Sequence, residues 1–150
     1  MELKISKKQI FNTCLNTLST RAEESRLAMV ESQRAANEYG APRDRYDSFR
    51  TQVLARRDMY ARQYNEALRQ LEVLSKIDPG KPCEMVEFGA LVVTSVQVLF
   101  VSVGLGKLSD NGVDFYAISA GVPLFEAIRG KRNGDTFTFR GTTFTIVSVG

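Results

Sequence analysis

Asp44 and Asp47 stand three residues apart at the start of a predicted helix, a spacing that sets two carboxylates on one helical face. Paired carboxylates without histidine suit a hard cation such as Mg²⁺, which takes one or two protein carboxylates and fills its shell with water and phosphate oxygens. The same two residues suit a second role. Acidic side chains in a first helical turn accept from free backbone N–H groups and complement the helix dipole. Spacing alone leaves both roles open. Arg43 and Arg45 flank Asp44 and either neutralise it by pairing or meet phosphates of a bound nucleic acid.

Other chemistry is excluded by residue type. The chain has no histidine, which removes the commonest general base, the usual nucleophile triads and most zinc sites. Ser19, Ser95 and Ser119 therefore have no histidine partner and no recognisable lysine partner for nucleophilic catalysis. The two cysteines, Cys14 in a helical pattern and Cys83 in a linker, suggest neither a disulfide framework nor a metal site. Gly104-Leu-Gly106 lacks the third glycine and the strand–helix context of a nucleotide loop, and predicts a turn. No apolar stretch approaches the roughly 20 residues of a membrane span. The start, Met-Glu-Leu-Lys, has no basic region followed by an apolar core, so no secretory signal is expected, and the two cysteines make a reducing cytoplasm the expectation.

Charge is unevenly placed. Residues 1–77 hold 14 Lys and Arg against 10 Asp and Glu, whereas residues 78–150 hold 6 against 7. The basic surplus is concentrated in Arg43, Arg45, Arg50, Arg56, Arg57, Arg62 and Arg69. A basic helix face meets nucleic acid, an acidic protein surface, or simply solvent.

The elements that must position the two carboxylates are helices. Phe11, Leu18, Ser25, Ser32 and Tyr39 recur every seven residues, with Leu15, Ala22, Met29 and Ala36 four residues behind. Tyr46, Val53, Tyr60, Ala67 and Leu74 form a second series, with Tyr64 and Leu71 beside it. A seven-residue repeat keeps one seam facing a partner helix. Tyr60 and Tyr64 therefore read as core packing rather than base stacking. Ser25, Ser32, Arg50 and Arg57 fall on seam positions that favour apolar residues, so the seam is expected to be only partly dry. Between the arms, Gly40 can end one helix in the left-handed conformation and Pro42 suits the first turn of the next. A connection this short makes the helices antiparallel. Arms of roughly 33 residues predict a hairpin on the order of 50 Å long. The boundaries expected are a hairpin over residues 1–77, its tip near 39–47, and a second domain over 78–150.

The break falls at Ile77-Asp78-Pro79-Gly80-Lys81-Pro82, where two prolines and a glycine end any helix. Beyond it, β-branched runs over residues 86–103, 115–119, 136–140 and 142–149 predict strands. Residues 107–112 predict a turn through Ser-Asp-Asn-Gly, and Pro123-Leu-Phe-Glu-Ala-Ile-Arg129 one short helix ended by Gly130. The class is α+β: an N-terminal antiparallel two-helix coiled coil, then a small antiparallel β domain carrying one short helix.

This layout resembles the GreA/GreB transcription elongation factors, an N-terminal coiled coil followed by an FKBP-like β domain. The most specific stretch runs from Ala117 to Asp135 and resembles the family's Ser-Pro segment and helix, ending in Gly-Lys, two variable residues and Gly-Asp. Gly130, Lys131, Gly134 and Asp135 match that ending, while Gly121 and Val122 intrude before Pro123. The resemblance spans nearly the whole chain and is closest to a divergent, compact branch. It implies that the coiled-coil tip enters the secondary channel of RNA polymerase. There Asp44 and Asp47 would help hold a catalytic Mg²⁺ shared with the polymerase, so that the polymerase cuts the 3′ end of backtracked nascent RNA. It also implies that Arg43, Arg45, Arg50, Arg56 and Arg57 contact RNA or polymerase, and that Pro123, Leu124 and Phe125 dock on a polymerase subunit. The protein would be a cofactor for another enzyme's reaction, a monomer with no membrane partner. The chain departs from the family in having Arg43 where a glycine is usual and Asp47 where Glu is common.

Three readings follow, from different classes. The first is the transcript cleavage factor. The second is a Gre-like polymerase binder or inhibitor without cleavage. The third, suggested by the FKBP-like fold alone, is a prolyl isomerase or chaperone whose β domain acts by itself.

Overall fold

A computed structural model describes residues 3–41 and 48–150. The chain folds as two compact units, Asn16–Leu71 and Met1–Leu15 with Glu72–Gly150.

Helix α1 (Lys7–Tyr39) and helix α2 (Ser48–Ser75) supply the first unit. At its start α1 carries a reciprocal cap: Gln9 N–H donates to Ser6 Oγ at 3.1 Å, and Ser6 N–H donates to Gln9 Oε1 at 2.7 Å. At its end Gly40 has φ +86°, and its N–H bonds the Ala36 carbonyl at 3.1 Å, so glycine closes the helix as its position predicts. Two cross-helix contacts show that the arms are antiparallel. Arg57 Nη1 donates to Gln33 Oε1 at 2.6 Å, and the Tyr39 and Phe49 rings lie 4.8 Å apart. As numbering rises from 33 to 39 on α1, it falls from 57 to 49 on α2.

Leu18, Ala22, Ser25, Ser32 and Ala36 are buried on α1, with Val53 and Ala67 on α2. Tyr60 and Tyr64 are half-buried. Small residues thus alternate with Leu18 and Val53 along the seam, and a cavity of about 500 Å³ opens beside Ser25, Ala28, Tyr60 and Ala67. Exposed faces carry ion pairs: Arg26 with Glu23, Arg34 with Glu31 and Glu38, and Arg69 with Glu66. Such exposed pairs each contribute a few tenths of a kcal/mol.

Near the start of α1 the buried face departs from the seven-residue reading. Ile10 and Cys14 are fully buried, whereas Phe11 is half-buried and Leu15 is 37% exposed. Ile10 and Cys14 belong to the unit that holds the sheet. A face that meets more than one partner helix is not selected by heptad spacing. Lys7 in the same unit donates to the Lys81 carbonyl at 3.0 Å and the Gly150 carbonyl at 3.3 Å, and its Nζ lies 3.7 Å from Cys83 Sγ.

The second unit is a six-stranded sheet: β1 (Leu91–Thr94), β2 (Val98–Ser102), β3 (Gly106–Asp110), β4 (Val113–Ser119), β5 (Thr136–Phe139) and β6 (Thr142–Val149), with α3 (Pro123–Ile128) before β5. Their order is β3-β4-β2-β1-β6-β5. The α+β class stands, with one difference. The sheet is mixed rather than antiparallel throughout, because β2 and β4 run parallel, with Leu99 opposite Tyr116 and Val101 opposite Ile118. After β2 the chain passes to the edge as β3 and returns through a tight turn as β4, which inserts between β3 and β2. A hairpin must be antiparallel to its own first strand, so its second strand ends up parallel to β2.

That turn is Asn111-Gly112, with φ +50° and +76°, the left-handed pair a two-residue hairpin needs. Arg140-Gly141 repeats it between β5 and β6, with φ +52° and +80°. β3 itself is a strand where the sequence predicts a turn. Its residues are exposed or half-buried, as an edge strand's are, so no apolar alternation marks it.

Every residue of β1 and β2 is buried. Val92, Leu99, Val101 and Ile146 join Phe125 and Ile128 of α3, Phe137, Val86 and Ala90 in one core. Val86 also forms a two-bond ladder with the exit of α3: its N–H reaches the Lys131 carbonyl and its carbonyl accepts from Gly130, both at 2.8 Å.

Candidate functional site at the end of the hairpin

Asp44, Asp47, Arg43 and Arg45 lie outside the described residues, within 42–47. The structure places the residues that frame them. Tyr39 is the last residue of α1 and Phe49 the second of α2. Their rings meet at 4.8 Å and 48°, a tilted pair of the kind worth roughly 0.5–1.5 kcal/mol beyond area burial. This contact ties the two helix ends together on either side of the acidic segment. Phe49 nevertheless remains 52% exposed.

The three described arginines of the predicted basic set differ. Arg57 is already engaged, donating to Gln33 and, at 2.7 Å, to Asp58. Arg56 is exposed. Arg50 is half-buried, and its Nε is buried without a hydrogen-bond partner among the described residues. A buried donor without an acceptor costs on the order of 1–3 kcal/mol. Arg50 and Arg56 are thus the less committed cations, while Arg57 also braces the seam. A groove of about 460 Å³ is lined by Arg57 together with Met29, Val30, Gln33, Arg34 and Asn37.

Among the described residues no cluster of three or more His, Cys, Asp or Glu could hold a metal ion. No helix among them is long and apolar enough to cross a membrane. The carboxyls of Glu23 and Glu31 are held below the usual range, chiefly by hydrogen bonds from Arg26 and Arg34. Those pairs are exposed and stabilise charge on the outer helix face. Burial pushes the Cys14 thiol up to about 12. Cys83 is also raised, by burial first, with the Lys7 ammonium opposing. Neither thiol is activated.

On the sheet domain, the three residues expected to dock do not share a surface. Pro123 is exposed and Leu124 half-buried, but Phe125 is 6% exposed and belongs to the core with Val86, Leu99 and Ile128. Phe125 therefore anchors α3 to the sheet and reaches the surface only along the wall of a cleft. The cause is helical geometry: on a short helix only one face is free, and Phe125 and Ile128 three residues apart fill the other. An adjacent cleft of about 470 Å³ is lined by Met85, Phe88, Phe125, Glu126 and Arg129 among others.

Two aromatic residues escaped the sequence reading: Phe49 at the hairpin end and Phe88 at the cleft, both more than a third exposed. For Phe49 a signal existed, an aromatic residue two positions after the second carboxylate and outside the heptad series.

No family model matches the sequence, and no curated protein matches it. Among solved structures, the GreA factor homolog 1 (Gfh1) of Thermus thermophilus is 19% identical over 91% of this chain and 94% of its own, with a TM-score of 0.34. A second structure of the transcription factor Gfh1 is 22% identical over 99% and 97%, with a TM-score of 0.32. Gfh1 of Thermus aquaticus is 22% identical over 92% and 94%, also at 0.32. Superpositions this loose are likenesses, and function does not follow from them.

Proposed function

We propose that this chain is a Gre-type transcription elongation factor. It binds RNA polymerase, enters the secondary channel with the end of its helical hairpin, and stimulates cleavage of backtracked RNA by the polymerase. The observation that carries the reading is the pairing of Tyr39 with Phe49, which brings two long antiparallel helices together on either side of a segment containing Asp44 and Asp47. The resemblance of the segment ending in Gly130, Lys131, Gly134 and Asp135 supports it.

In this reading the two carboxylates help hold a Mg²⁺ ion shared with the polymerase, which supplies charge stabilisation and an activated water for phosphodiester cleavage. Two carboxylates alone are too few ligands to retain the ion without the polymerase. Arg50 and Arg56 meet RNA or the channel wall, and the sheet domain docks outside through surface residues such as Pro123 and Leu124. The protein is a cofactor, works as a monomer in the cytoplasm, and catalyses nothing alone. The test is addition of the chain to halted, backtracked complexes. The RNA shortens only when both chain and polymerase are present.

A second reading rests on Arg43 and on the shorter Asp47 side chain. A tip altered in this way suits a channel-occupying binder or inhibitor, which slows transcription and leaves backtracked RNA intact.

A further inference from the structure

The chain contains two Asn-Gly dipeptides, Asn111-Gly112 and Asn133-Gly134. Asparagine before glycine cyclises more readily than before other residues, because the following backbone nitrogen has no neighbouring Cβ to obstruct its approach to the side-chain amide. By sequence the two dipeptides are alike. The fold separates them. At Asn133 both reacting ends are held: Oδ1 accepts from Val149 N–H at 2.7 Å, and Gly134 N–H donates to the Ile146 carbonyl at 2.8 Å. The Asp135 carboxylate closes the same turn, accepting from Arg132 N–H at 2.8 Å. These bonds tie the dipeptide to β6, whose Ile146 is fully buried. Asn111 and Gly112 instead lie exposed in the turn between β3 and β4. Among the described residues neither the Asn111 side chain nor Gly112 N–H makes a hydrogen bond. A Cβ at Gly112 would meet nothing within 4 Å among them, so the space around the attacking nitrogen is open. β3 is an edge strand paired with β4 alone, and opening this turn disturbs little else.

We infer that Asn111 is a site of spontaneous deamidation and that the fold protects Asn133 from the same reaction. Hydroxide takes the Gly112 amide proton, and the freed nitrogen attacks Asn111 Cγ. The Cγ–Nδ2 bond then breaks, and water protonates the departing group, releasing ammonia and regenerating hydroxide. Water opens the resulting cyclic imide at either carbonyl, giving aspartate or isoaspartate. Both products alter the sheet edge. A carboxylate at position 111 adds to those of Asp110 and Asp114. Isoaspartate also lengthens the backbone of a two-residue turn by one methylene, so the left-handed pair at +50° and +76° no longer closes it and β3 loosens from β4.

The test ages the full chain at mildly alkaline pH, folded and in concentrated urea. Trypsin cuts after Lys107, Arg129, Arg132 and Arg140, so each asparagine falls in its own peptide, 108–129 or 133–140, with no other asparagine or glutamine in either. Mass spectrometry follows the gain of one mass unit in each. In the folded chain peptide 108–129 deamidates about tenfold faster than 133–140, the factor expected when two hydrogen bonds must open before Asn133 reacts. In urea the two rates converge. An isoaspartate-specific carboxyl methyltransferase with labelled S-adenosylmethionine then labels peptide 108–129 of the aged folded chain. Asn111→Gly, which suits the same turn, takes up no label there. Equal or inverted rates in the folded chain overturn the inference, as does an unreactive Asn111. A rate ratio that persists in urea also overturns it, because the preference would then belong to the flanking residues and not to the fold.

Discussion

The Tyr39 and Phe49 rings, the last residue of one helix and the second of the next, lie 4.8 Å apart at the end where the two helices are connected. This contact sets how far apart the chain enters and leaves the acidic segment. Phe49→Ala is expected to cost roughly 0.5–1.5 kcal/mol and to loosen the hairpin end while leaving the sheet domain intact. Hydrogen exchange should show faster amides in the last turns of α1 and the first turns of α2, with β1 and β2 unchanged. Uniform acceleration, or none, would show that the ring pair does not hold the helix ends.

Gly40 gives a cleaner backbone test. A Cβ there would meet nothing within 4 Å among the described residues, so the cost expected of a substitution is that of φ +86°. Gly40→Ala should destabilise by about 1–2 kcal/mol, measured as a lower denaturant midpoint at unchanged slope. Gly40→Asn should cost less, because asparagine tolerates this region better.

The core position of Phe125 separates packing from docking. Phe125→Ala should cost about 3–5 kcal/mol and unfold the sheet domain or bring it to the edge of unfolding. Pro123→Ser, at an exposed position, should change stability far less. Any effect of Pro123→Ser on polymerase binding would therefore report a surface. A stable Phe125→Ala variant would contradict the core assignment.

The thiols make a pH prediction. Cys14 has its pKa raised by burial from 9.0 to about 12. A raised folded-state value means that the stability contributed by the neutral buried thiol is complete below pH 9 and is lost as pH climbs towards 12. Near pH 8, a thiol reagent should modify half-buried Cys83 first, and Cys14 at the rate of unfolding. Simultaneous, rapid reaction of both would show that the base of α1 opens freely.

Much of this architecture is legible in the residues, for identifiable reasons. Gly40 marks the end of α1 because few other residue types suit its φ of +86°, and Asn111-Gly112 marks its turn likewise. Heptad spacing finds Leu18, Ala22, Ser25, Ser32 and Ala36, where the two helices pack. It fails at Ile10 and Cys14, whose unit includes the sheet, because periodicity encodes one partner and not a second. The parallel pairing of β2 with β4 is invisible locally, since hairpin signals reveal a strand's direction relative to its predecessor and not its place in the sheet. Phe125 misled for a related reason: on a six-residue helix, composition does not reveal which face is inward. Phe49 went unseen because it lies outside the heptad series, and a search for seam residues passes over it.

The most direct measurement of the central claim is RNA cleavage in halted, backtracked complexes, comparing the intact chain with a variant carrying Asp44→Asn and Asp47→Asn. Polymerase binding is followed in the same samples. The account predicts that the intact chain shortens the RNA, while the variant binds equally well and leaves it largely uncut. Cleavage undiminished in the variant would contradict the role given to the two carboxylates. If neither protein cleaves while both bind and slow transcription, the carboxylates only cap the second helix and the protein is a channel-blocking regulator.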